Sequence, residues 1–135
     1  ILKNNIHKNR YKTFDYLNNL NMTMSAGAAN LIVSRAGSAI FEIANWGVPS
    51  IIIPISDSNG DHQRQNAYNY ARSGGAIVIE ESNLSASILL SEINRVMDDK
   101  NLIQKMREAS KTFIKANASD VIADEIIKIG LQHEK

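Results

Sequence analysis

Three short, almost uninterrupted apolar runs constrain the fold of this chain most. They are Leu31–Ser34, Ile51–Ile55 and Ala76–Glu80, spaced about 20 to 25 residues apart with helical patterns between them. Strands that are apolar along their whole length are buried on both faces, which is typical of a parallel sheet covered by helices. The sequence therefore predicts an α/β fold in which a parallel sheet carries helices on both faces.

The remaining pattern adds one strand and several helices. Tyr11–Phe14 is predicted as a further short strand, and helices are predicted at Met22–Asn30, Ala39–Trp46 and His62–Ser73. From about Ser85 the pattern is helical to the end of the chain, and these helices are expected to cover the sheet. The inward positions expected in the last helix are Val121, Ile122, Ile126, Ile127 and Ile129.

Composition narrows the class of protein. The chain has 135 residues, a formal net charge of +1 and no cysteine, so disulfides and thiolate metal sites are excluded and no nucleic-acid partner is indicated. No repeat or internal linker divides the sequence, which predicts a single domain over residues 1–135. Because the first residues read as the tail of a helix, we expect an N-terminally truncated piece of a longer protein.

The turn that follows the second predicted strand is the first candidate for a ligand site. It contains Gly37 and Ser38 and leads directly into a helix. Gly37 can adopt a positive φ and lets a ligand approach the backbone, while Ser38 can cap the helix or bind a phosphate oxygen. The partial positive charge of a helix N-terminus suits a diphosphate. An ordinary strand-to-helix turn has the same pattern.

Polar side chains that could bind a ligand follow this turn on two predicted helices. Glu42 lies one turn into the predicted helix, where its carboxylate could accept hydrogen bonds from both hydroxyls of a ribose or simply face solvent. His62, Gln63 and Asn66 share one face at the start of the next helix, after Asp61 as a candidate N-cap. Amide side chains both donate and accept hydrogen bonds, which suits sugar hydroxyls, and His62 could contact a phosphate. A solvated helix start would look the same.

The motifs form one ordered pattern. Arg-Ala-Gly is followed by a glutamate on the next helix, then by Gly-x-Pro, an apolar strand that ends at proline, and His-Gln-x-x-Asn-Ala. Together these motifs resemble the C-terminal domain of the MurG family, most strongly from Ala29 to Glu80. That family transfers N-acetylglucosamine (GlcNAc) from UDP-GlcNAc to lipid I, which yields lipid II in peptidoglycan synthesis. The resemblance implies a Rossmann-like domain, the C-terminal half of a two-domain GT-B glycosyltransferase.

The resemblance also implies roles for single residues. Glu42 is similar to the glutamate that binds the ribose hydroxyls, and Gly37 and Ser38 to the turn whose backbone amides approach the sugar diphosphate. The positions expected at the GlcNAc end of the donor are His62, Gln63 and Asn66. Leu17 is similar to the residue whose backbone recognises uracil. The resemblance implies no metal or other cofactor, and the sequence contains no Asp-x-Asp pair that would hold a metal.

The resemblance also implies functions that belong to another domain of the family's proteins. The family's N-terminal domain binds the lipid-linked acceptor, carries the base, and attaches the enzyme peripherally to the inner, cytoplasmic face of the plasma membrane. We therefore expect no catalytic residue in this chain, and inactivity of the chain alone. Three alternatives stay open: the donor-binding subunit of a two-subunit GlcNAc transferase, another GT-B enzyme that uses a UDP-sugar, and a nucleotide-binding or interaction module without activity.

Overall fold

The protein is built around a three-stranded parallel sheet. A computed structural model describes residues 5–57, 59–114 and 118–132. The strands are β1 (Ile32–Arg35), β2 (Ser50–Ile53) and β3 (Ala76–Val78). They lie in the order β1-β2-β3, and both neighbouring pairs are parallel. The predicted parallel α/β architecture is therefore confirmed, and the loops that follow β1 and β2 emerge at the same edge of the sheet.

Six α-helices accompany the sheet in the described part of the chain. They are α1 (Asn19–Ala28), α2 (Ala39–Trp46), α3 (His62–Ser73), α4 (Ala86–Asp98), α5 (Lys100–Phe113) and α6 (Ala118–Gln132). Short 3-10 segments lie at Lys8–Arg10, Asn59–Asp61 and Glu81–Asn83.

Helices cover both faces of the sheet, and the central strand β2 is apolar at three of its four positions. Ile52 is buried in one core together with residues of α2, α3 and α5. Ile51 and Ile53 point to the opposite face, where they form a second core on which Leu89 and Ile93 of α4 pack. Every residue of β2 is buried, which is the burial expected of a strand in the middle of a parallel sheet.

The helix bounds that depend on local sequence signals were predicted correctly for α2 and α3. The bounds of α2 and α3 are those predicted, because each helix ends at a glycine in the left-handed region: φ is +65° at Gly47 and +91° at Gly74. Helix α1 begins earlier than predicted, because the side chain of Asn18 accepts a hydrogen bond from the Asn21 amide at 2.9 Å and caps the helix there. The three strands start or end within two residues of the predicted limits.

Tyr11–Phe14 does not form the predicted strand. This segment has no regular secondary structure, and Tyr11 and Phe14 are largely exposed. The reason is the missing partner: the three described strands pair only with one another, and an extended segment without a neighbour has no ladder of hydrogen bonds to hold it.

The inward positions predicted for α6 are also wrong. All five isoleucine and valine side chains expected to face inward have exposed fractions between 50% and 65%. The helix itself forms, and it continues past Gly130 to Gln132. Its apolar stripe is real, but no described part of the chain covers it.

Candidate functional site

The turn after β1 presents open backbone at the carboxyl edge of the sheet. Ala36 is buried, Gly37 is half-buried, and α2 begins two residues later at Ala39. Gly37 does not use the positive φ that the sequence allows. Its lack of a side chain matters instead for access, since a Cβ added here would meet nothing within 4 Å. Space for a ligand therefore adjoins the backbone of this turn.

Ser38 precedes the helix without capping it. Its backbone is already helical, with φ −58° and ψ −24°, and its side chain makes no capping hydrogen bond. The predicted capping role is thus not used. The exposed hydroxyl of Ser38 lies at the edge where anions bind in many α/β proteins, whereas the amides of Ile40 and Phe41 donate to the carbonyls of Gly37 and Ser38 over 3.3 and 3.1 Å.

Glu42 stands in the first turn of α2 and is exposed. Its side chain borders two neighbouring spaces. The larger space, which we call the strand hollow, has a volume of about 410 Å³ and lies between α1, β1 and α2. Its walls are mainly apolar, with Leu31, Ile32 and Ile43 among them, and Ser34 and Ala39 lie at the ends of the Gly37 turn.

The smaller space is a cleft of about 270 Å³ between α1 and α2, which we call the helix cleft. Its lining residues are Asn19, Met22, Thr23, Glu42, Asn45 and Trp46. The sequence pattern did not single out this cleft. The available signal was the spacing on α2, because Asn45 and Trp46 follow Glu42 by three and four residues and so share its helix face.

Helix α3 approaches the same turn from its other side. The Asn66 amide donates a hydrogen bond to the carbonyl of Ala36 over 3.4 Å. Gln63 accepts one from the Ile55 amide over 3.2 Å, and His62 is exposed. The structure thus brings Asn66 beside the Gly37 turn, with Glu42 one helical turn further along the chain.

Among the described residues that the sequence predicts at the site, Glu42 alone lines the strand hollow and the helix cleft. Of the described residues, Asn66 and Gly37 line neither space that borders Glu42. Leu17, half-buried just before α1, lines neither of them as well. The link between Asn66 and Glu42 is the turn itself, which carries Asn66's acceptor at Ala36 and leads into the helix of Glu42.

An ion pair that the sequence did not predict connects the strand ends at the carboxyl edge of the sheet. Arg35, the last residue of β1, contacts Glu81 over 2.7 Å and donates a hydrogen bond to the carbonyl of Ile53 over 3.4 Å. The other oxygen of Glu81 accepts from the Ser56 amide over 2.9 Å. The ends of β1 and β2 and the segment after β3 are therefore tied together beside the Gly37 turn.

Acid is expected to loosen this edge. The Ser56 amide and then the Arg35 guanidinium lower the pKa of Glu81, and the Tyr68 hydroxyl and Arg64 lower the pKa of Glu80. A carboxylate whose pKa is lowered by folding stabilises the protein above its unfolded-state pKa, here 4.5, and this contribution is lost as the pH falls through the lower folded-state value. Thermal melting temperatures should therefore drop on acidification below about pH 4.5.

The variant Glu81→Gln should show a smaller drop in melting temperature on acidification. The contribution of Glu81 is then removed, while that of Glu80 remains. Melting curves recorded by circular dichroism from about pH 3 to pH 7 measure the difference. An unchanged pH dependence in this variant would show that the Glu81 contacts contribute nothing to stability.

The part of the chain that the structure describes shows neither a cluster of metal-binding side chains nor a helix that could cross a membrane. In that part of the chain no three histidine, aspartate or glutamate side chains are grouped so that they could hold a metal ion. None of the described helices combines the length and the apolar character needed to cross a membrane.

Comparison with known proteins finds relatives that share one name. A protein of Clostridioides difficile (strain 630) named UDP-N-acetylglucosamine--N-acetylmuramyl-(pentapeptide) pyrophosphoryl-undecaprenol N-acetylglucosamine transferase is 37% identical over 109 residues, which is 80% of this chain and 27% of that protein. A protein of the same name from Acetivibrio thermocellus is 39% identical over 108 residues, or 79% of this chain and 29% of that protein. This chain thus spans little more than a quarter of either relative.

The fold has a solved counterpart. The crystal structure of Acinetobacter baumannii MurG matches with a TM-score of 0.76 over 87% of this chain and 33% of that one, at 24% identity. The match supports the GT-B C-terminal fold that the sequence motifs imply. The family model described as the glycosyltransferase family 28 C-terminal domain matches residues 2–124. With the resemblance to MurG confirmed, the chain belongs to glycosyltransferase family 28, as its C-terminal domain.

Proposed function

We propose that this chain is the donor-binding part of an inverting glycosyltransferase. The enzyme would move GlcNAc from UDP-GlcNAc to a lipid-linked muramoyl-pentapeptide, the step from lipid I to lipid II. The names of the Clostridioides and Acetivibrio relatives support this donor and this acceptor.

One structural observation carries the proposal. Open space adjoins the backbone at Gly37, immediately before the N-terminus of α2, and a carboxylate stands in the first turn of that helix at Glu42. A nucleoside diphosphate needs both features, since N–H groups and the helix dipole favour its phosphates while a carboxylate accepts from its ribose hydroxyls. In this proposal Gly37 and Ser38 hold the diphosphate and Glu42 holds the ribose.

The sugar would lie towards α3. His62, Gln63 and Asn66 stand at the start of this helix, and Asn66 already contacts the turn at Ala36. An amide that donates one hydrogen bond within the protein keeps a second N–H and its oxygen for sugar hydroxyls. Leu17, before α1, is proposed to recognise uracil through its backbone.

The chemistry follows from this arrangement. The acceptor hydroxyl forms a bond to the anomeric carbon from the side opposite the diphosphate, while the bond from that carbon to the phosphate oxygen breaks. UDP leaves with the electron pair, and the acceptor's proton passes to a base. Fixed N–H dipoles at the start of α2 would stabilise the charge that grows on the diphosphate, which is how preorganised donors lower such barriers. We assign the base, the acceptor site and peripheral attachment to the cytoplasmic face of the membrane to a region outside this chain.

A transfer assay with the intact gene product tests the proposal. Radiolabelled UDP-GlcNAc and lipid I in detergent micelles should give labelled lipid II, with UDP released in equal amount. A parallel reaction without lipid I controls for simple hydrolysis of the donor. Transfer from another UDP-sugar with none from UDP-GlcNAc would overturn the donor assignment, and release of UDP without labelled lipid would overturn the acceptor assignment.

A further inference from the structure

Two consecutive carboxylates, Glu80 and Glu81, follow β3 and take no part in the proposed donor contacts. Both residues are half-buried. Glu81 accepts a hydrogen bond from the Ser56 amide over 2.9 Å, in the segment that follows β2. Glu80 contacts α3 instead, where it accepts from Arg64 Nε over 2.9 Å and from the Tyr68 hydroxyl over 2.6 Å. The end of β3 therefore holds both the segment after β2 and the first half of α3.

Both sets of contacts converge on the start of α3. Ile55 precedes Ser56, and its amide donates a hydrogen bond to the side chain of Gln63 over 3.2 Å. Gln63 lies in the first turn of α3, and Arg64, which Glu80 holds, is the next residue. A shift of either carboxylate contact would therefore pass directly to Gln63, one of the residues proposed to bind the sugar.

These ion pairs lie where they add only modestly to stability. In the pair of Arg35 with Glu81 the side chains are 48% and 33% exposed, and in the pair of Arg64 with Glu80 they are 53% and 20% exposed. Pairs this open to solvent contribute little, because water screens the charges and long side chains lose freedom. The placement of a binding group is more sensitive, since a displacement of about 1 Å can cost about a hundredfold in rate. Loosening should therefore affect the site more than the fold.

We propose that Glu80 and Glu81 are positioning residues for the sugar of the donor. They hold the first turn of α3 at the place where Gln63 meets the GlcNAc hydroxyls, and they do not touch the donor themselves. The inference rests on the proposed function and extends it to two residues outside the proposed donor contacts.

The expected effect is confined to the sugar. UDP has the base, ribose and diphosphate of the donor but no sugar, so its proposed contacts include Gly37, Ser38 and Glu42. Glu81→Ala should raise the dissociation constant of the intact protein for UDP-GlcNAc about tenfold, which is below the roughly hundredfold cost of a 1 Å displacement, and leave that for UDP unchanged. Glu80→Ala should have the same selective effect. Isothermal titration calorimetry measures both constants.

Three further variants control this measurement. Glu81→Gln keeps an oxygen for the Ser56 amide but loses the ion pair, so it should give an intermediate effect and serves if Glu81→Ala does not fold. Glu108→Ala removes an exposed glutamate that likewise accepts a side-chain hydrogen bond, from Gln104 over 2.8 Å, and should alter neither constant. Asn66→Ala removes a proposed sugar ligand and should weaken UDP-GlcNAc more than UDP.

The comparison of the two ligands separates the possible failures. If Glu42→Ala weakens UDP, but the variants of Glu80 and Glu81 weaken UDP and UDP-GlcNAc equally or change neither, the donor site stands and only the positioning role is overturned. If UDP does not bind, or binds independently of Glu42, the proposed function is overturned together with it.

Discussion

Replacing Gly75 by alanine is expected to destabilise the domain by about 3 kcal/mol, the upper part of the usual range for overpacking a core. A Cβ at this position would lie 2.6 Å from Cε2 of Tyr70, 2.7 Å from the Ser110 hydroxyl and 3.0 Å from the Ser110 Cα. Tyr70 cannot easily move, because its hydroxyl is hydrogen-bonded to Ser110 over 3.0 Å and its ring packs at a tilt against Phe113, with 4.7 Å between the ring centroids. The connection between α3 and β3 would have to shift.

Urea denaturation followed by circular dichroism measures this loss. Since small domains are stable by about 5–15 kcal/mol, the change should move the midpoint far to lower urea or leave the chain unfolded. Gly27→Ala is the matched control: its Cβ would meet nothing within 4 Å, and it lies inside α1, where alanine favours the helix by up to about 1 kcal/mol. Equal stability of the two variants would contradict the packing described at Gly75.

Replacing Glu42 by alanine is expected to raise the dissociation constant of the intact protein for UDP-GlcNAc about a hundredfold, or about 2.7 kcal/mol. Two ribose hydroxyls would lose a charged acceptor, and hydrogen bonds to charged groups contribute about 1.5–3 kcal/mol each, with solvent exposure of Glu42 favouring the lower values. Isothermal titration calorimetry gives this constant directly. Because Glu42 is exposed on α2 and makes no contact with the core, the fold should be unaffected.

Two variants bracket this result. Glu42→Gln keeps one accepting oxygen and should bind with intermediate affinity. Glu108→Ala removes an exposed helix glutamate near the opposite edge of the sheet, beside Gly47, and should bind as the wild type does. An affinity of Glu42→Ala equal to that of Glu108→Ala would remove Glu42 from the donor site.

The parts of the fold that were predictable depend on neighbours in sequence. Helices α2 and α3 were predicted to the residue because each ends at a left-handed glycine, Gly47 or Gly74, and such a stop is encoded locally. The parallel sheet followed from strands that are apolar along most of their length, since burial on both faces suits them.

The parts that were not predictable depend on distant partners. Tyr11–Phe14 has strand-forming residues but no neighbouring strand among those described, and α6 has an apolar stripe but no described surface against it. At the site, the motif around Gly37 was readable from order and spacing. The Arg35–Glu81 ion pair joins residues 46 positions apart, and the helix cleft exists only because α1 and α2 pack side by side.

Amide chemical-shift mapping tests most directly whether a uridine-linked sugar binds at the carboxyl edge of this sheet. With an isotopically labelled, assigned sample, UDP-GlcNAc should cause saturable shifts that are largest for the amides of Gly37, Ser38 and Glu42 and for the side-chain amide of Asn66. Shifts that cluster instead around Gly47 and Glu108 at the opposite edge, or no saturable shifts at all, would contradict the proposed donor site.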